Sequence, residues 1–312
     1  MPEWLYEDGI GEARAALVEN GEILEAAVEP DDAGPLVGGV HRARLADRAA
    51  ARAALADGVE VQLAAVPPGV TQGAALTVEI TREAIPEPGR LKPARAVAAD
   101  RDPAPAPGLL ARLTATGHPV RRLRAHESDL LEQAGWSELL EEAATGDIAF
   151  PGGALRMTPT PAMTLFDVDG GPPADALALA AAPVVAAAIR RHGVGGSIGV
   201  DFPTVEGKAA RQAVAAALDA ALSPPFERTA MNGFGFLQIV RPRLRASLPE
   251  RLRADPVAAA ARALLRRLER EPPGGPRRHP VPAAVHARLL TRPAWTAELA
   301  RRTGVVHELE VA

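Results

Sequence analysis

Two short apolar runs, each carrying aspartate near its end, constrain this chain more than any other feature. The first is Met163–Asp169, the second is Gly195–Phe202, and the alanine-rich stretch Ala176–Arg191 lies between them. Runs of this length predict buried strands, and the alanine-rich stretch predicts the helix that joins them. The sequence therefore predicts a β-α-β arrangement with acidic side chains at one edge of a sheet.

The aspartates of these runs are candidate metal ligands. If the two strands are neighbours, Asp167 and Asp201 lie side by side, and Asp169 shares the face of Asp167 while the strand continues. Carboxylate oxygens suit Mg²⁺, which keeps several waters and commonly binds a substrate phosphate. The alternative is that an aspartate at a strand end caps the next helix or closes a turn.

Composition limits the classes of protein that remain. A length of 312 residues predicts about two domains, and a net charge of −4 argues against a basic coat for nucleic acid. The chain has no cysteine, which excludes disulfides, zinc ribbons and thiol chemistry. No stretch is long and apolar enough to span a bilayer, and the amino terminus lacks the features of a signal peptide. We therefore expect a soluble cytoplasmic protein.

The first hundred residues have the pattern of a β structure. Asn20-Gly21 between two apolar runs predicts a hairpin over residues 12–29. Strand-like runs at Val37–Arg44, Val59–Val66 and Ala75–Thr81 then predict a small barrel of the oligonucleotide-binding kind, whereas Arg52–Ala56 is predicted to be helical.

This predicted barrel has no aromatic residue on which a base could stack. Neither Phe, Tyr nor Trp occurs between Tyr6 and Trp136. Any RNA contact from the barrel would therefore be ionic, and the cations available are Arg42, Arg44, Arg82 and Lys92.

Helical patterns dominate the rest of the chain. They cover Leu109–Ala115, Ser128–Ala144, Gly207–Leu222, Pro256–Glu271, Ala283–Leu290 and Thr296–Thr303. A linker is predicted at Ala98–Pro107, a hairpin at Asp147–Met157, and a last strand at Val305–Val311.

Basic residues near the acidic strands are candidate phosphate contacts. Lys208 and Arg211 lie in the first turn of one predicted helix, and Arg241 and Arg243 end a predicted strand. Such side chains position a nucleic-acid backbone, but arginines at a strand end are more often solvated surface residues.

Several motifs resemble those of the ribonuclease E/G family of single-strand endoribonucleases. Phe166-Asp-Val-Asp169 resembles that family's Asp-Val-Asn motif, and Gly195-Gly-Ser-Ile-Gly-Val-Asp-Phe202 resembles its Gly-Gly-x-Ile-x-Ile-Asp-Phe motif. Downstream, Phe234–Leu244 resembles the family's Phe-Gly-Leu-x-Glu-x-Ser-Arg-x-Arg-Leu. Weaker likeness in the same order extends over nearly the whole chain.

The resemblance implies an α+β fold of five parts. They are an RNase H-like subdomain (1–30 with 125–158), an S1-like or oligonucleotide-binding barrel inserted in it (31–97), a reduced sensor or linker (98–124), a catalytic α/β subdomain (159–246) and a small carboxyl-terminal α/β domain (247–312).

The resemblance also implies a function, a metal-dependent endoribonuclease that hydrolyses phosphodiester bonds in single-stranded RNA. Catalysis would fall to Asp167, Asp201 and Asp169, the first two holding Mg²⁺. Substrate would be bound by Lys208, Arg211, Arg241, Arg243 and Arg82.

The chain also departs from the family pattern. Asp169 replaces the motif asparagine, and the cysteine pair of the family's zinc link is absent, so we expect no zinc and no zinc-linked dimer, although a homodimer of another kind is allowed. An alternative is therefore a catalytically degenerate member that binds RNA or a protein. A weaker alternative is a structural subunit that pairs through its carboxyl-terminal domain.

Overall fold

The computed structural model describes residues 1–87, 89–272 and 274–312 as a mixed α+β protein. Among the residues so described, ten strands precede the first helix. They are β1 (Glu3–Asp8), β2 (Glu12–Glu19), β3 (Glu22–Pro30), β4 (Val40–Asp47), β5 (Arg52–Leu55), β6 (Glu60–Leu63), β7 (Ala75–Arg82), β8 (Ile85–Glu87), β9 (Arg90–Lys92) and β10 (Ala94–Ala98).

The middle of the chain alternates helices and strands. Its elements are α1 (Leu109–Thr114), β11 (Val120–Arg122), α2 (Leu130–Gln133), α3 (Trp136–Thr145), β12 (Asp147–Phe150), β13 (Gly153–Pro159), β14 (Thr164–Gly170), α4 (Ala174–Arg191), β15 (Gly196–Asp201), α5 (Lys208–Ala221), β16 (Glu227–Arg228) and β17 (Phe236–Arg241). The last part is mostly helical. It contains α6 (Leu248–Ala254), α7 (Pro256–Glu269), β18 (Arg278–Val281), α8 (Ala283–Leu290), α9 (Pro293–Thr303) and β19 (Glu308–Val311).

The amino-terminal half forms a four-stranded sheet and a closed barrel. The sheet has the order β11-β1-β2-β3, and its β2–β3 hairpin is the one predicted around Asn20-Gly21. The barrel closes in the order β10-β6-β5-β4-β7, and its strands fall between β3 and β11 in the chain. The predicted mixed α+β class with a five-stranded barrel is confirmed.

One prediction inside the barrel is wrong, because Arg52–Ala56 is not helical. Residues 52–55 form β5, which pairs with β4 and β6. Ala53 and Leu55 alternate into the barrel core, so burial on a two-residue period overrides the helical propensity of alanine.

The predicted single helix over Ser128–Ala144 is also wrong, since the segment contains two helices. Gly135 separates α2 from α3 with φ of 94°, a left-handed conformation that a helix interior does not accommodate. The carboxylate of Asp129 begins α2 by accepting hydrogen bonds from the backbone N–H groups of Leu131 and Glu132.

A six-stranded sheet with the order β12-β13-β14-β15-β17-β16 carries the acidic motifs. β14 and β15 are parallel and joined by α4, whereas β17 runs antiparallel to β15. The hairpin β12–β13 belongs to this sheet because β13 pairs with β14 along its whole length. The boundary predicted at residue 158 therefore divides a continuous sheet.

The largest core lies between this sheet and the helices α4 and α5. Phe166 and Val168 of β14, and Ile198 and Val200 of β15, pack there against buried alanines of α4. Small alanine side chains let the helix approach the sheet closely. The core therefore covers one face of β14 and β15, and the alternate residues of both strands face the other way.

Candidate active site on the open face of the six-stranded sheet

Asp167 and Asp201 are directly opposite each other in the structure. β14 and β15 pair in a parallel register that matches Asp167 with Asp201 and Phe166 with Val200. Because Phe166 and Val200 are buried in the core, the two aspartates lie on the opposite, open face. β14 continues to Gly170, so Asp169 lies on that face two residues further along.

A row of side chains crosses the sheet at the level of these acids. From β12 to β17, the residues paired across neighbouring strands are Asp147, Arg156, Asp167, Asp201 and Phe236. Nε of Arg156 donates to Oδ1 of Asp147 at 3.2 Å, and both side chains are largely exposed. The nearest cation in the row is therefore engaged with a different carboxylate.

The negative charges of Asp167, Asp169 and Asp201 repel one another. Burial, together with the carboxylates of Asp169 and Asp201, raises the pKa of Asp167, while Arg156 and the backbone N–H of Val168 act in the opposite direction. Among the described residues none of the three aspartates has an ion pair with a basic side chain within 4.0 Å. In the described part of the chain, Arg156 therefore offsets this negative charge only partly and without an ion pair.

The donor set fits a hard cation held by few protein ligands. Within residues 1–87, 89–272 and 274–312, no group of three or more His, Asp or Glu is close enough to hold a metal ion. That geometry leaves at most a pair of carboxylates, Asp167 and Asp201, for an ion. Mg²⁺ is commonly bound by one or two carboxylates with waters completing its shell, so the pair is chemically sufficient.

A basic cavity lies beside the loop that follows Asp201. It has a volume of about 520 Å³, and its lining includes Lys208, Arg211, Gln212 and Arg228. Lys208 and Arg211 occupy the first turn of α5, which contains no acidic residue. The amino-terminal end of a helix favours anions, so this turn adds to the positive potential of the cavity.

The other three predicted phosphate contacts lie elsewhere, which corrects the expectation that Arg241 and Arg243 sit near the acids. β17 runs antiparallel to β15 and places Arg241 opposite Gly196, at the far end from Asp201. Five residues of strand separate the two levels, roughly 17 Å. Arg243 forms an ion pair with Glu250, and Arg82 donates to the backbone carbonyl of Pro93 at 2.7 Å.

Sequence reasoning did not single out Arg156, Arg228 or Phe234 as site residues. Arg156 faces Asp167 from β13, Arg228 lines the basic cavity, and Phe234 lies in the turn before β17. Two of these residues had a usable signal in the sequence. Arg156 alternates outward in a predicted hairpin that leads into the acidic strand, and Phe234 is the first residue of the family-like run Phe234–Leu244.

The fold and the acids define a mixed α+β protein with an acidic site at the carboxyl ends of two parallel strands. Residues 110–244 of the chain match the model of the Ribonuclease E/G family, and this match supports a ribonuclease E/G family member. The matched segment contains both acidic strands and the basic residues of α5 and β17. No curated protein matches the chain. The family match supports a ribonuclease-type function acting on RNA.

Proposed function

We propose that the protein is a metal-dependent endoribonuclease that hydrolyses phosphodiester bonds in single-stranded RNA at the open face of the six-stranded sheet. The observation that carries the proposal is the pairing of Asp167 with Asp201 inside the segment that matches the family, where neither carboxylate forms an ion pair with a described basic side chain. Carboxylates left without cations inside a folded protein attract an external cation, and RNA brings phosphates that share it.

In this proposal the carboxylates of Asp167 and Asp201 hold Mg²⁺. Bound there, the ion would polarise the scissile phosphate, stabilise the charge that develops on its oxygens and ease deprotonation of a water. Asp169 accepts hydrogen bonds from the attacking water and orients it from the same face of β14. Lys208 and Arg211 bind phosphates of the strand on the α5 side of the acids.

The same proposal assigns roles to the other parts of the chain. The four-stranded sheet corresponds to an RNase H-like subdomain and the closed barrel to an S1-like domain, whose RNA contacts are ionic because it lacks aromatics. Arg82, Arg241 and Arg243 cannot contact the phosphate at the acids without a large movement. In the proposal they bind a more distant part of the strand.

The test is cleavage of a labelled single-stranded RNA. We expect parent protein to cut it with Mg²⁺ and not with excess EDTA, and Asp201→Asn to be slower by roughly a hundredfold or more, the scale on which a lost transition-state electrostatic contact acts. The matched control is Asp102→Asn, an exposed aspartate in the loop after β10. Equal rates for Asp201→Asn and the parent, or full activity in EDTA, would contradict the proposal.

A second candidate, a member that binds RNA without cutting it, is favoured by Asp169. This residue stands where the family motif has asparagine, and its charge contributes to the raised pKa of Asp167. An extra negative charge beside the acids repels a scissile phosphate when no cation intervenes. Salt-dependent RNA binding with no product at any Mg²⁺ concentration would select this candidate over the enzyme.

A further inference from the structure

Phe234 is the single exposed aromatic side chain of the protein, and all ten aromatic residues are within the described part of the chain. Phe234 is 83% exposed, whereas the three tryptophans, Phe166 and Phe202 are buried and the remaining aromatics are partly buried. A chain this poor in aromatics places one of them in solvent, so its location is informative.

The turn that carries Phe234 is held by specific hydrogen bonds. Oδ1 of Asn232 accepts from the backbone N–H groups of Phe234 at 2.9 Å and of Phe236 at 3.0 Å. Gly235 has φ of 94°, and a Cβ there would collide with the carbonyl oxygen of Phe202. The exposed ring therefore projects from a fixed turn, and exposure is not a result of fraying.

This turn packs against the segment that follows Asp201. The backbone N–H of Phe202 donates to the carbonyl of Gly235 at 3.3 Å, and Phe236 is paired with Asp201 in the sheet. Phe234 precedes Phe236 by two residues, so their Cα atoms lie at most roughly 7 Å apart. A nucleotide adjacent to a phosphate at the acids would have its base within reach of this ring.

We propose that Phe234 is a stacking platform for a base of single-stranded RNA, next to the phosphate that the acids engage. The inference rests on the proposed function and adds a base-binding subsite to it. Stacking on a phenyl ring accepts any base, so the subsite would increase affinity without reading sequence. It also supplies the aromatic contact that the barrel of this chain does not have.

The surroundings of the ring favour a base over a protein partner. Its neighbours in the turn are Asn232, Gly233 and Gly235, and the hydroxyl of Thr204 donates to the backbone carbonyl of Phe234 at 3.5 Å, so the turn itself offers polar or small groups beside the ring. Protein interfaces bury an aromatic anchor among other apolar contacts. An exposed ring in the turn next to the acidic site matches what single-stranded RNA offers, because a single strand presents flat bases on a charged backbone.

The test measures single-turnover cleavage and equilibrium binding of one oligoribonucleotide by Phe234→Ala, Phe234→Leu and Phe234→Trp. We expect Phe234→Ala to weaken binding by roughly 5- to 150-fold, Phe234→Leu to restore little of it, and Phe234→Trp to restore most of it. Urea midpoints should be the same for all variants, because Phe234 is 83% exposed and supports no packing.

An abasic scan of the same oligonucleotide measures how much each base contributes to binding. A purely structural role of Phe234 would not change the contribution of one particular base. At one position next to the cleaved bond, base removal should weaken binding to the parent as much as Phe234→Ala does, and should not weaken binding to Phe234→Ala further. A 2-aminopurine at that position should be quenched on binding by the parent and not by Phe234→Ala.

The outcomes separate this inference from the proposed function. Unchanged binding by Phe234→Ala, with the parent still active, overturns only the platform. If the parent binds RNA without cutting it, the binding measurements still test whether Phe234 stacks on a base. A parent that does not bind RNA overturns both proposals. Unchanged RNA binding accompanied by altered self-association in light scattering would assign the ring to a protein contact and overturn the platform.

Discussion

Asp129 and Asp167 are two aspartates of one chain whose environments are opposite. Asp129 lies between two arginines, with Arg14 at 2.8 Å and Arg270 at 3.1 Å. Burial alone would raise the pKa of Asp129, but Arg14, the backbone N–H of Glu132 and Arg270 together lower it. Asp167 has two neighbouring carboxylates and no ion pair with any basic side chain that the structure describes, and its pKa is raised. The fold thus balances the negative charge of Asp129 with arginines, whereas at Asp167 it adds further negative charge.

The difference separates a structural use of acids from a binding use. Around Asp129 the network extends to Glu7, which accepts from Arg14 at 2.9 Å and from Arg270 at 2.6 Å. Arg270 follows α7, so these contacts join the carboxyl-terminal part to the amino-terminal sheet. A network that satisfies its own charges holds elements together, whereas uncompensated acids on an open sheet face can bind something the protein lacks.

The largest effect should come from breaking the satisfied network at Arg14. Its side chain is 1% exposed and also packs over the ring of Trp136 at 5.2 Å. Arg14→Met leaves Glu7 and Asp129 with one partner, Arg270, and we expect a loss of about 3–5 kcal/mol of unfolding free energy, measured by urea denaturation. The control is Arg278→Met, whose ion pair with Glu308 is exposed and should matter little. A small effect of Arg14→Met would show that the network is not structural.

The acids could be predicted from the sequence because their placement depends on local pattern. Two apolar runs joined by a helix give parallel strands, and parallel strands deliver their carboxyl ends to one edge whatever the rest of the chain does. This rule, together with the assumption that the two strands are neighbours, was enough to predict that Asp167 and Asp201 lie side by side. The alternation of buried residues in β14 then fixed the face.

Arg241 and the Arg14 network could not be predicted in the same way. Whether the carboxyl end of β17 meets Asp201 or Gly196 depends on the direction of that strand in the sheet, and an apolar run carries no signal of direction. Arg14 and Asp129 are 115 residues apart in sequence, and their contact depends on how the sheet and α2 pack. Long-range pairing of this kind leaves no periodic trace in a single sequence.

Asparagine substitutions at Asp129 and Asp167 should change the free energy of unfolding in opposite directions, because the environments of the two residues are opposite. Asp129→Asn removes a charge that the fold stabilises, so unfolding free energy at pH 7 should fall by about 1–2 kcal/mol. Asp167→Asn removes a charge that its neighbours oppose, and since that side chain is partly exposed the gain should not exceed about 0.5 kcal/mol. If both substitutions destabilise the protein equally at pH 7, the contrast between the two sites is wrong.

The contributions of Asp129 and Asp167 to the free energy of unfolding should change with pH in opposite directions. The lowered pKa of Asp129 means that its contribution is present above the ordinary value of 3.8 and is lost as the pH falls through the lower folded-state value. The raised pKa of Asp167 means that the native state is favoured by its proton at low pH, and that this advantage is lost as the pH rises from 3.8 through the raised value. Urea curves from acid to neutral pH measure both.

Asp169→Asn should sharpen the description of the acidic site through its pH–rate profile. The substitution restores the asparagine of the family motif and removes one of the charges that raise the pKa of Asp167. Cleavage that needs ionised Asp167 should therefore keep its activity to lower pH than in the parent, with the acid limb displaced downward. Asp175→Asn, on the exposed first turn of α4, is the matched control. An acid limb that does not move would show that Asp167 does not control it.

The smallest effect should distinguish the basic residues on the two ends of the sheet. Arg211→Gln removes a cation next to the loop after Asp201, and we expect the slope of log affinity against log salt for single-stranded RNA to decrease by about 0.7 to 1, the amount for one phosphate contact. Arg241→Gln should leave rate and slope for a short oligonucleotide unchanged, because roughly 17 Å of strand separates Arg241 from the level of Asp201. Lengthening the oligonucleotide until Arg241→Gln acquires an effect would measure how far the bound strand extends. An effect on the shortest substrate would place Arg241 at the acids and contradict the antiparallel geometry of β17.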